Sequence, residues 1–428
     1  MASYGGSVMK KKILLKGPIL TRSGYGEQAR FALRSLRSRE DIFDIHIMPL
    51  DWGRTSWISL IDEERKWIDE TIEKTIAYVQ GGGKYDISLQ VTIPNEFEKV
   101  AATNIGYTAG IETDRVAPVW IQKGNEAVDK LIVVSEHSKQ VFQNTQVTAQ
   151  NSATGEIVDN YKLNNPIEAV GYPVKSYDNL PELEINTTTD FNFLVVAQNG
   201  PRKNIPNTIK WFVEEFADDE NVGLILKSNL AKNCLMDREK MFHDLKEFLN
   251  HLPEHKCKVY LLHGDMTDEE MHSLYTNKSV SAFLSLAHGE GFGLPIFEAA
   301  YSSLPVVSVV WSGQADFLVH ENKTMCYDVA FDLHSVGDES IWEGVIEKGA
   351  LWAHAREQSA KEKMRLCYSD ITNNTSDSIS SMASEYANVL KKKFSTENMY
   401  AKFVDCIVSE KELNQMQEDI ENLLADLL

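Results

Sequence analysis

One stretch, Ser285 to Glu298, constrains the fold strongly. It begins inside an apolar run, Val280 to Leu286, that predicts a buried strand, and three glycines then alternate with bulkier residues. Pro295 comes where the first turn of a helix is expected, a position at which a missing N–H costs nothing. A strand, a glycine-bearing loop and a helix N-terminus in succession favour an anion such as phosphate. The sequence therefore predicts an α/β domain with a ligand site at this loop.

Two glutamates bracket the loop and the start of its helix. Glu290 lies in the loop, and Glu298 lies about one turn inside the predicted helix. Carboxylates accept paired hydrogen bonds from sugar hydroxyls. One glutamate can therefore face the reacting end of a ligand while the other faces its more distant hydroxyls. A glycine-rich turn with one glutamate is common in proteins, so only the whole string of residues is specific.

The string Glu-Gly-Phe-Gly-Leu-Pro-x-x-Glu-Ala, which begins at Glu290, resembles the Glu-x7-Glu signature of retaining glycosyltransferases of family four, which have the GT-B fold. The resemblance implies an α/β protein of two Rossmann-like domains whose parallel sheets face a central cleft, followed by C-terminal helices. It also implies that Glu290 lies near the hydroxyls of a donor sugar and that Glu298 binds the ribose of the nucleotide. The loop residues that it implies in donor binding are Gly291, Phe292, Gly293 and Leu294.

Short apolar runs alternate with helical stretches, which is the pattern of parallel sheets covered by helices. Between 171 and 190 the composition shifts to Pro, Asn, Asp, Thr and Ser, which predicts a domain boundary. We expect a disordered leader at 1–8, an acceptor-side domain at 9–175, a nucleotide-sugar domain at 190–395 and C-terminal helices at 396–428. The resemblance implies that residues 396–407 cross back onto the first domain.

Two segments of the first domain contain further candidates. Gly24 and Gly26 lie in the loop after the first predicted strand, where the resemblance implies contact with the donor phosphate or sugar, and a simple strand–helix turn is the alternative. Residues 105–120 are rich in groups suited to a sugar site but lack the histidine that many family members carry there. Glu112 is the nearest candidate, and it either orients the acceptor or caps a turn.

Three cations come at or just after the ends of predicted strands in the second domain. Arg202 and Lys203 are adjacent in one loop, and Lys227 ends the next strand. Cations at strand ends suit a diphosphate, whose charge must be neutralised as it leaves. Because the family usually has one Arg and one Lys in these loops, the sequence leaves open which of Arg202 and Lys203 pairs with Lys227. The resemblance also implies that Gly313 lies beside the nucleotide-sugar.

The sequence contains no motif typical of a metal or cofactor site. Asp-x-Asp is absent, and no Cys/His cluster has metal-site spacing. We therefore expect metal-independent catalysis without a bound cofactor, with a UDP- or GDP-linked sugar as co-substrate. The five scattered cysteines favour a reducing, cytoplasmic location. No apolar run approaches the roughly 20 residues that span a bilayer, and we expect no signal peptide.

These observations predict a retaining hexosyl- or pentosyltransferase that moves a sugar from a nucleoside-diphosphate sugar to a hydroxyl of a glycan, lipid or small molecule. One alternative has the same donor chemistry but modifies a hydroxymethylated base in DNA. The formal net charge of −20 counts against it, because phosphates attract basic surfaces. A non-catalytic protein that binds sugar nucleotides is the other alternative.

The end of the chain carries an apolar stripe at intervals of 3, 4, 3 and 4 residues, which is the a/d pattern of two heptads. Helices this short are marginal alone, so the stripe must pack on something. It docks either on the protein's own body or on a second copy as a homodimer. The stripe consists of Leu413, Met416, Ile420, Leu423 and Leu427.

Overall fold

In the computed structural model, the described residues are 10–53, 55–150 and 154–409. The predicted leader at 1–8 and the C-terminal apolar stripe lie outside them. No helix within these ranges is both long enough and apolar enough to cross a membrane.

The N-terminal half, residues 10–170, contains the strands β1 (Lys11–Gly17), β2 (Phe43–Pro49), β3 (Ile87–Val91), β4 (Thr103–Thr108), β5 (Lys130–Val133), β6 (Val147–Gln150), β7 (Ile157–Tyr161) and β8 (Ile167–Ala169). Six of them form a parallel sheet with the order β2-β1-β3-β4-β5-β8, and β6 and β7 form a separate antiparallel pair. Its helices are α1 (Gly24–Arg37), α2 (Glu63–Gln80), α3 (Pro118–Glu126) and α4 (Glu136–Asn144), with a 3-10 turn at Pro94–Glu96. β3 is buried along its whole length, as expected for a parallel sheet covered on both faces.

The C-terminal half, residues 190–409, contains the strands β9 (Phe191–Gln198), β10 (Val222–Asn229), β11 (Lys258–Leu262), β12 (Ala282–Ser285), β13 (Val306–Ser308), β14 (Val319–His320), β15 (Lys323–Thr324), β16 (Tyr327–Asp328), β17 (Phe331–Ser335) and β18 (Leu351–Ala355). Six of them form a second parallel sheet with the order β11-β10-β9-β12-β13-β16. The others form two small antiparallel pairs, β14-β15 and β17-β18. Its helices are α5 (Ile205–Glu215), α6 (Leu235–Asn250), α7 (Asp268–Tyr275), α8 (Leu294–Tyr301), α9 (Ala315–Leu318), α10 (Glu357–Thr372), α11 (Ile379–Lys393) and α12 (Thr396–Ile407), with 3-10 turns at Pro201–Lys203, Ser312–Gln314 and Asp338–Ser340.

The two helix-covered parallel sheets confirm the predicted α/β class with two Rossmann-like units. In the second sheet the strand order reverses between β9 and β12, which are neighbours. The connections after these two strands leave in opposite directions and open a crevice at their carboxyl ends. Ligands of open α/β sheets bind at such a reversal, so it is the first place to look for a site.

The last described helix, α12, packs against the first half of the molecule. The ring of Phe403 lies 5.1 Å from that of Phe31 in α1 and 5.0 Å from that of Tyr107 in β4, measured between centroids. Phe403 is fully buried there. Residues near the end of the described chain therefore complete the core of the sheet with which the chain begins.

Candidate functional site

The strand-order reversal brings together two loops from distant parts of the sequence. The loop after β9 contains Arg202 and Lys203, and the loop after β12 contains Glu290. The backbone N–H of His288 donates to the carbonyl of Arg202 at 2.8 Å, which fixes one loop against the other. Gly293 then caps α8 with a φ of 95°, in the left-handed region that glycine adopts without strain.

Four charged side chains form one network, which we call the charge cluster: Glu112, Arg202, Lys203 and Glu290. Arg202 Nη1 lies 2.8 Å from one oxygen of Glu290, and Lys203 Nζ contacts the other. Arg202 Nε lies 2.8 Å from the carboxylate of Glu112, which comes from the N-terminal half. The charge cluster thus contains two cations and two carboxylates, and it joins both halves of the molecule.

Burial and neighbouring charge set the ionisation of the charge cluster. For Glu290 burial opposes ionisation, but Arg202 and Lys203 outweigh it and lower its pKa to about 2. Burial raises the pKa of Glu112, and the charge of Glu290 adds to that rise. Burial and the neighbouring guanidinium of Arg202 lower the pKa of Lys203. Glu290 is therefore a firmly ionised carboxylate, whereas Glu112 takes up a proton more readily than an ordinary glutamate.

The glycines of the loop after β12 allow the two halves to touch through their backbones. A Cβ atom added at Gly291 would lie 2.0 Å from the carbonyl oxygen of Ala109, and one at Gly289 would lie 2.2 Å from that of Glu112. At Gly313 an added Cβ would meet the carbonyl oxygen of Gly291 at 2.0 Å. The sequence predicts that Gly291 and Gly313 lie beside a ligand. In the structure both glycines also lie so close to a backbone carbonyl that a larger residue would collide with it.

The start of α4 is held by groups from the C-terminal half. The Ser135 hydroxyl donates to the carbonyl of Gly291 at 2.7 Å, and the backbone N–H of Glu136 donates to the Asp316 carboxylate at 2.9 Å. Ser135 also accepts from the N–H of Ser138, which makes it the N-cap of α4. The cross-molecule contacts of Ser135 and Asp316 have no signal in the sequence, because neither belongs to a recognisable motif.

The loop residues Phe292 and Leu294 present little to a ligand through their side chains. Phe292 is buried, with its ring 5.1 Å from that of Tyr172 and 5.2 Å from that of Phe297. Leu294 is half-buried at the first position of α8. Any donor contact at these two positions falls on their backbone groups.

Lys227 lies on β10, the strand next to β9, and is not one of the four residues of the charge cluster. Its Nζ donates to the carbonyl of Gly264 at 2.5 Å. Burial lowers the pKa of Lys227, and Asp265 opposes that change. The structure therefore brings Arg202 and Lys203 together on Glu290 and leaves Lys227 as a cation bound to a neutral carbonyl.

Glu298 belongs to a second group of charges, centred on Lys175. Lys175 Nζ lies 2.9 Å from the carboxylate of Glu27 in α1 and 2.9 Å from that of Asp268 in α7. Burial raises the pKa of Glu298 to about 7, while Lys175 opposes the rise and Glu27 adds to it. Lys175 was not predicted from the sequence, because it stands in the polar segment between the two sheets without a motif around it.

The glycines near the start of α1 have different surroundings. The N–H of Gly26 donates to the hydroxyl of Ser23, the helix N-cap, at 2.9 Å, and an added Cβ there would lie 2.0 Å from the carbonyl oxygen of Thr21. Gly24 has open space where a Cβ would be. The turn itself thus requires Gly26, while Gly24 leaves room in front of the helix N-terminus. Within the described ranges, no group of three or more His, Cys, Asp or Glu residues is placed to hold a metal ion.

Comparison with known proteins gives a family match for part of the chain. Residues 180–332 match the family described as "Glycosyl transferases group 1". The serotype-specific mannosyltransferase WbdA of Escherichia coli is 29% identical over 205 residues, which are 45% of this chain and 23% of that protein. A second WbdA sequence from E. coli is 28% identical over 203 residues. The chain thus matches about a quarter of the length of these curated relatives.

Solved structures match nearly the whole chain at low identity. Anabaena Alr3699/HepE, solved with UDP and glucose, has a TM-score of 0.54 at 13% identity and covers 93% of this chain and 99% of its own. Sucrose-phosphate synthase from Thermosynechococcus elongatus has a TM-score of 0.57 at 12% identity and covers 97% of this chain and 100% of its own. Identities this low show the fold alone. Together with the two facing Rossmann-like units, they confirm the expected GT-B fold.

Proposed function

We propose that the protein is a glycosyltransferase that moves a sugar from a nucleoside-diphosphate sugar to an acceptor hydroxyl. The observation that carries the proposal is the meeting of Arg202, Lys203 and Glu290 at the strand-order reversal. The match of residues 180–332 to group 1 glycosyltransferases and the mannosyltransferase activity named for the E. coli relatives support it. HepE, whose fold this chain shares, was solved with UDP and glucose, which supports a nucleotide-linked donor.

The diphosphate has several partners at this site. Arg202 and Lys203 are already neutralised by Glu290 and Glu112, so a bound diphosphate shares them with two carboxylates. Lys227, which contacts a neutral carbonyl, and the N-terminus of α8 supply additional positive charge. As the glycosidic bond breaks, negative charge grows on the leaving oxygen, and these groups then bind it more strongly than in the ground state. This difference lowers the barrier.

We further propose membership of family four, retention of the anomeric configuration and independence of metal ions. The Glu-x7-Glu spacing of Glu290 and Glu298 supports the family. Glu290 is unsuited to be a nucleophile, because Arg202 and Lys203 engage both of its oxygens and lower its pKa. It is suited to accept hydrogen bonds from the hydroxyls of the donor sugar. Arg202 and Lys203 at the crevice, together with Lys227 on the next strand, β10, supply the charge that a metal ion otherwise supplies.

A screen of UDP- and GDP-linked sugars by thermal shift tests the proposal, since a bound donor stabilises the native state. The purified protein should hydrolyse the donor that gives the largest shift, and nuclear magnetic resonance of the product reports the anomer. Activity should persist in excess EDTA. Failure of every nucleotide-sugar to bind or be hydrolysed would refute the proposed function.

Modification of hydroxymethylated DNA remains the second candidate, and the charge of −20 counts against it. Transfer of label from the same donor to hydroxymethylated DNA, but not to saccharides, would favour it. All five cysteines are free thiols and four are buried, which supports a reducing, cytoplasmic location.

A further inference from the structure

The segment between β17 and β18, residues 336–350, reaches from the C-terminal half to the N-terminal half, and we call it the strap. Asn95 Nδ2 donates to the carbonyl of Gly344 at 3.0 Å. The N–H of Leu351, just past the strap, donates to the Asp114 carboxylate at 2.6 Å. Asn95 and Asp114 follow β3 and β4, so the strap lies along the carboxyl-end edge of the first sheet. That edge is where open α/β sheets bind ligands.

Packing and turn geometry give the strap a defined shape. Val345 packs against the buried cluster of the N-terminal half that contains Phe97 and Trp120. The N–H of Val345 donates to the carbonyl of Trp342 at 2.8 Å, which closes a four-residue turn. Gly344 occupies the third position of that turn with a φ of 76°, the left-handed value that favours glycine. The turn therefore holds Trp342 in place beside the N-terminal half.

Trp342 is 61% exposed, whereas tryptophan side chains are highly buried on average. The strap also carries exposed carboxylates at Asp338, Glu339 and Glu343, which outnumber its exposed cation, Lys348. An indole offers an apolar face to the C–H face of a pyranose ring, and carboxylates accept hydrogen bonds from its hydroxyls. A polyanion such as DNA is repelled by the same carboxylates. The charge of the strap therefore favours a neutral saccharide.

The strap is connected to the loop that carries Glu290. At its base, the N–H of Ala353 in β18 donates to the carbonyl of His288 at 2.9 Å, and His288 Nδ1 donates to the carbonyl of Ala353 at 2.9 Å. His288 stands two residues before Glu290. A ligand on the strap is thus bound close to β18, which is hydrogen-bonded to the loop that carries Glu290. β18 is also hydrogen-bonded to Asp114, two residues after Glu112.

We propose that the strap is a subsite for a saccharide acceptor, with Trp342 as its stacking platform. The inference rests on the proposed function and narrows the acceptor to a glycan. It also identifies Trp342 as a residue that determines acceptor affinity.

The test is calorimetric titration of the full-length protein with mannobiose and mannotetraose, with cellobiose and cellotetraose, and with a single-stranded DNA 12-mer. We expect one of the saccharide series to bind, and Trp342→Ala to weaken that binding about tenfold or more, because the substitution removes the aromatic face that the bound sugar covers. Trp342→Phe should recover much of the affinity. Phe242→Ala is the matched control, since Phe242 is a 59% exposed aromatic residue on α6, outside the strap. Circular dichroism checks that each variant is folded.

Three results would overturn the inference: no saccharide of the two series binds the wild-type protein, Trp342→Ala binds saccharide as the wild type does, or Trp342 is needed for DNA and not for saccharide. These titrations use no donor, so they are independent of the donor screen. Donor hydrolysis without saccharide binding would refute the acceptor subsite alone, and saccharide binding without donor hydrolysis would refute the proposed transferase.

Discussion

Two glutamates eight residues apart have opposite electrostatic surroundings. Glu290 contacts two cations, and its pKa falls to about 2, whereas burial raises the pKa of Glu298 to about 7. A carboxylate that is ionised throughout the neutral range can bind the reacting end of a donor at any physiological pH. A carboxyl group that titrates near neutrality makes whatever it binds dependent on pH. These differences lead to predictions that substitution and a change of pH can test.

The first prediction concerns Glu290→Gln. This variant should leave nucleoside diphosphate affinity largely intact and reduce turnover of the sugar donor, because Glu290 is proposed to contact the sugar. Stability should also change with a defined sign. Since the folded-state pKa lies below the ordinary 4.5, ionised Glu290 stabilises the fold above that pH, and the stabilisation is lost as the pH falls towards 2.

Urea unfolding of wild type and Glu290→Gln across this range measures the difference in free energy of unfolding. The difference should shrink below pH 4.5, and Glu269→Gln, an exposed glutamate of α7, serves as the control. A difference that stays constant between pH 6 and 3 would contradict the assignment of that stabilisation to Glu290.

Glu298 gives the second prediction. Burial raises the pKa of its carboxyl group to about 7, and we propose that the ionised form accepts hydrogen bonds from the ribose hydroxyls of the donor. Donor affinity should therefore rise between pH 6 and 8. Glu298→Gln should weaken the binding of both donor and nucleoside diphosphate and remove this rise. Calorimetry at several pH values measures it, with Glu182→Gln as an exposed control. An unchanged pH slope in Glu298→Gln would exclude the role.

Lys227 gives the third. Lys227→Ala should lower turnover by about 100-fold or more, the cost of losing one donor to a transition-state charge. The contact with the neutral carbonyl of Gly264 leaves its charge available to the diphosphate. Lys246→Ala, an exposed lysine of α6, should keep wild-type kinetics. Unchanged kinetics for both Lys227→Ala and an Arg202/Lys203 double alanine variant would rule out all three as the diphosphate site.

At the scale of elements, the loop after β12 shows what local sequence does and does not encode. The strand, the glycine loop and the helix that begins at Leu294 with Pro295 in its first turn were all predictable, because periodicity and Gly/Pro punctuation act over a few residues. The contact of Gly291 with Ala109 was not. Its partner belongs to another part of the chain, and no local pattern reports a close approach between two backbones.

The fourth prediction follows from that contact. Gly291→Ala places a methyl group 2.0 Å from the carbonyl oxygen of Ala109, so the halves must separate or the loop must move. We expect donor affinity and turnover to fall by about 100-fold, in the range seen when a catalytic group is misplaced by about 1 Å. Gly200→Ala is the matched control, since an added Cβ there meets open space at a φ of −175°. Equal activity of the two variants would contradict a tight contact between the halves.

At the scale of the whole molecule, the sequence predicts the kind of units but not how their parts are arranged. Alternating apolar runs and a polar segment were enough to predict helix-covered parallel sheets and a domain boundary, and the family resemblance added the two Rossmann-like units. They do not fix which strands are neighbours, and the strand order is what places Arg202 beside Glu290. They do not predict Lys175 either. Its position between Glu27 and Asp268 exists only after both sheets have folded and packed together.

Lys175 makes ionisation at the site depend on how the halves are placed. It comes from the segment between the sheets and pairs with α1 on one side and α7 on the other. Its charge also opposes the raised pKa of Glu298. Any movement that carries Lys175 away from Glu298 therefore favours the protonated form of that carboxyl group, and any movement towards it favours the ionised form.

Lys175→Met tests this link across the molecule. Removing the cation should raise the pKa of Glu298 further, so the pH at which donor affinity reaches half its high-pH value should move upward from about 7. Lys175→Arg keeps the charge and should hold that midpoint near the wild-type value. Lys66→Ala, which removes an exposed ion pair with Glu63, should not move it. If Lys175→Met lowers donor affinity equally at every pH, Lys175 supports the packing of the two halves without setting the ionisation of Glu298.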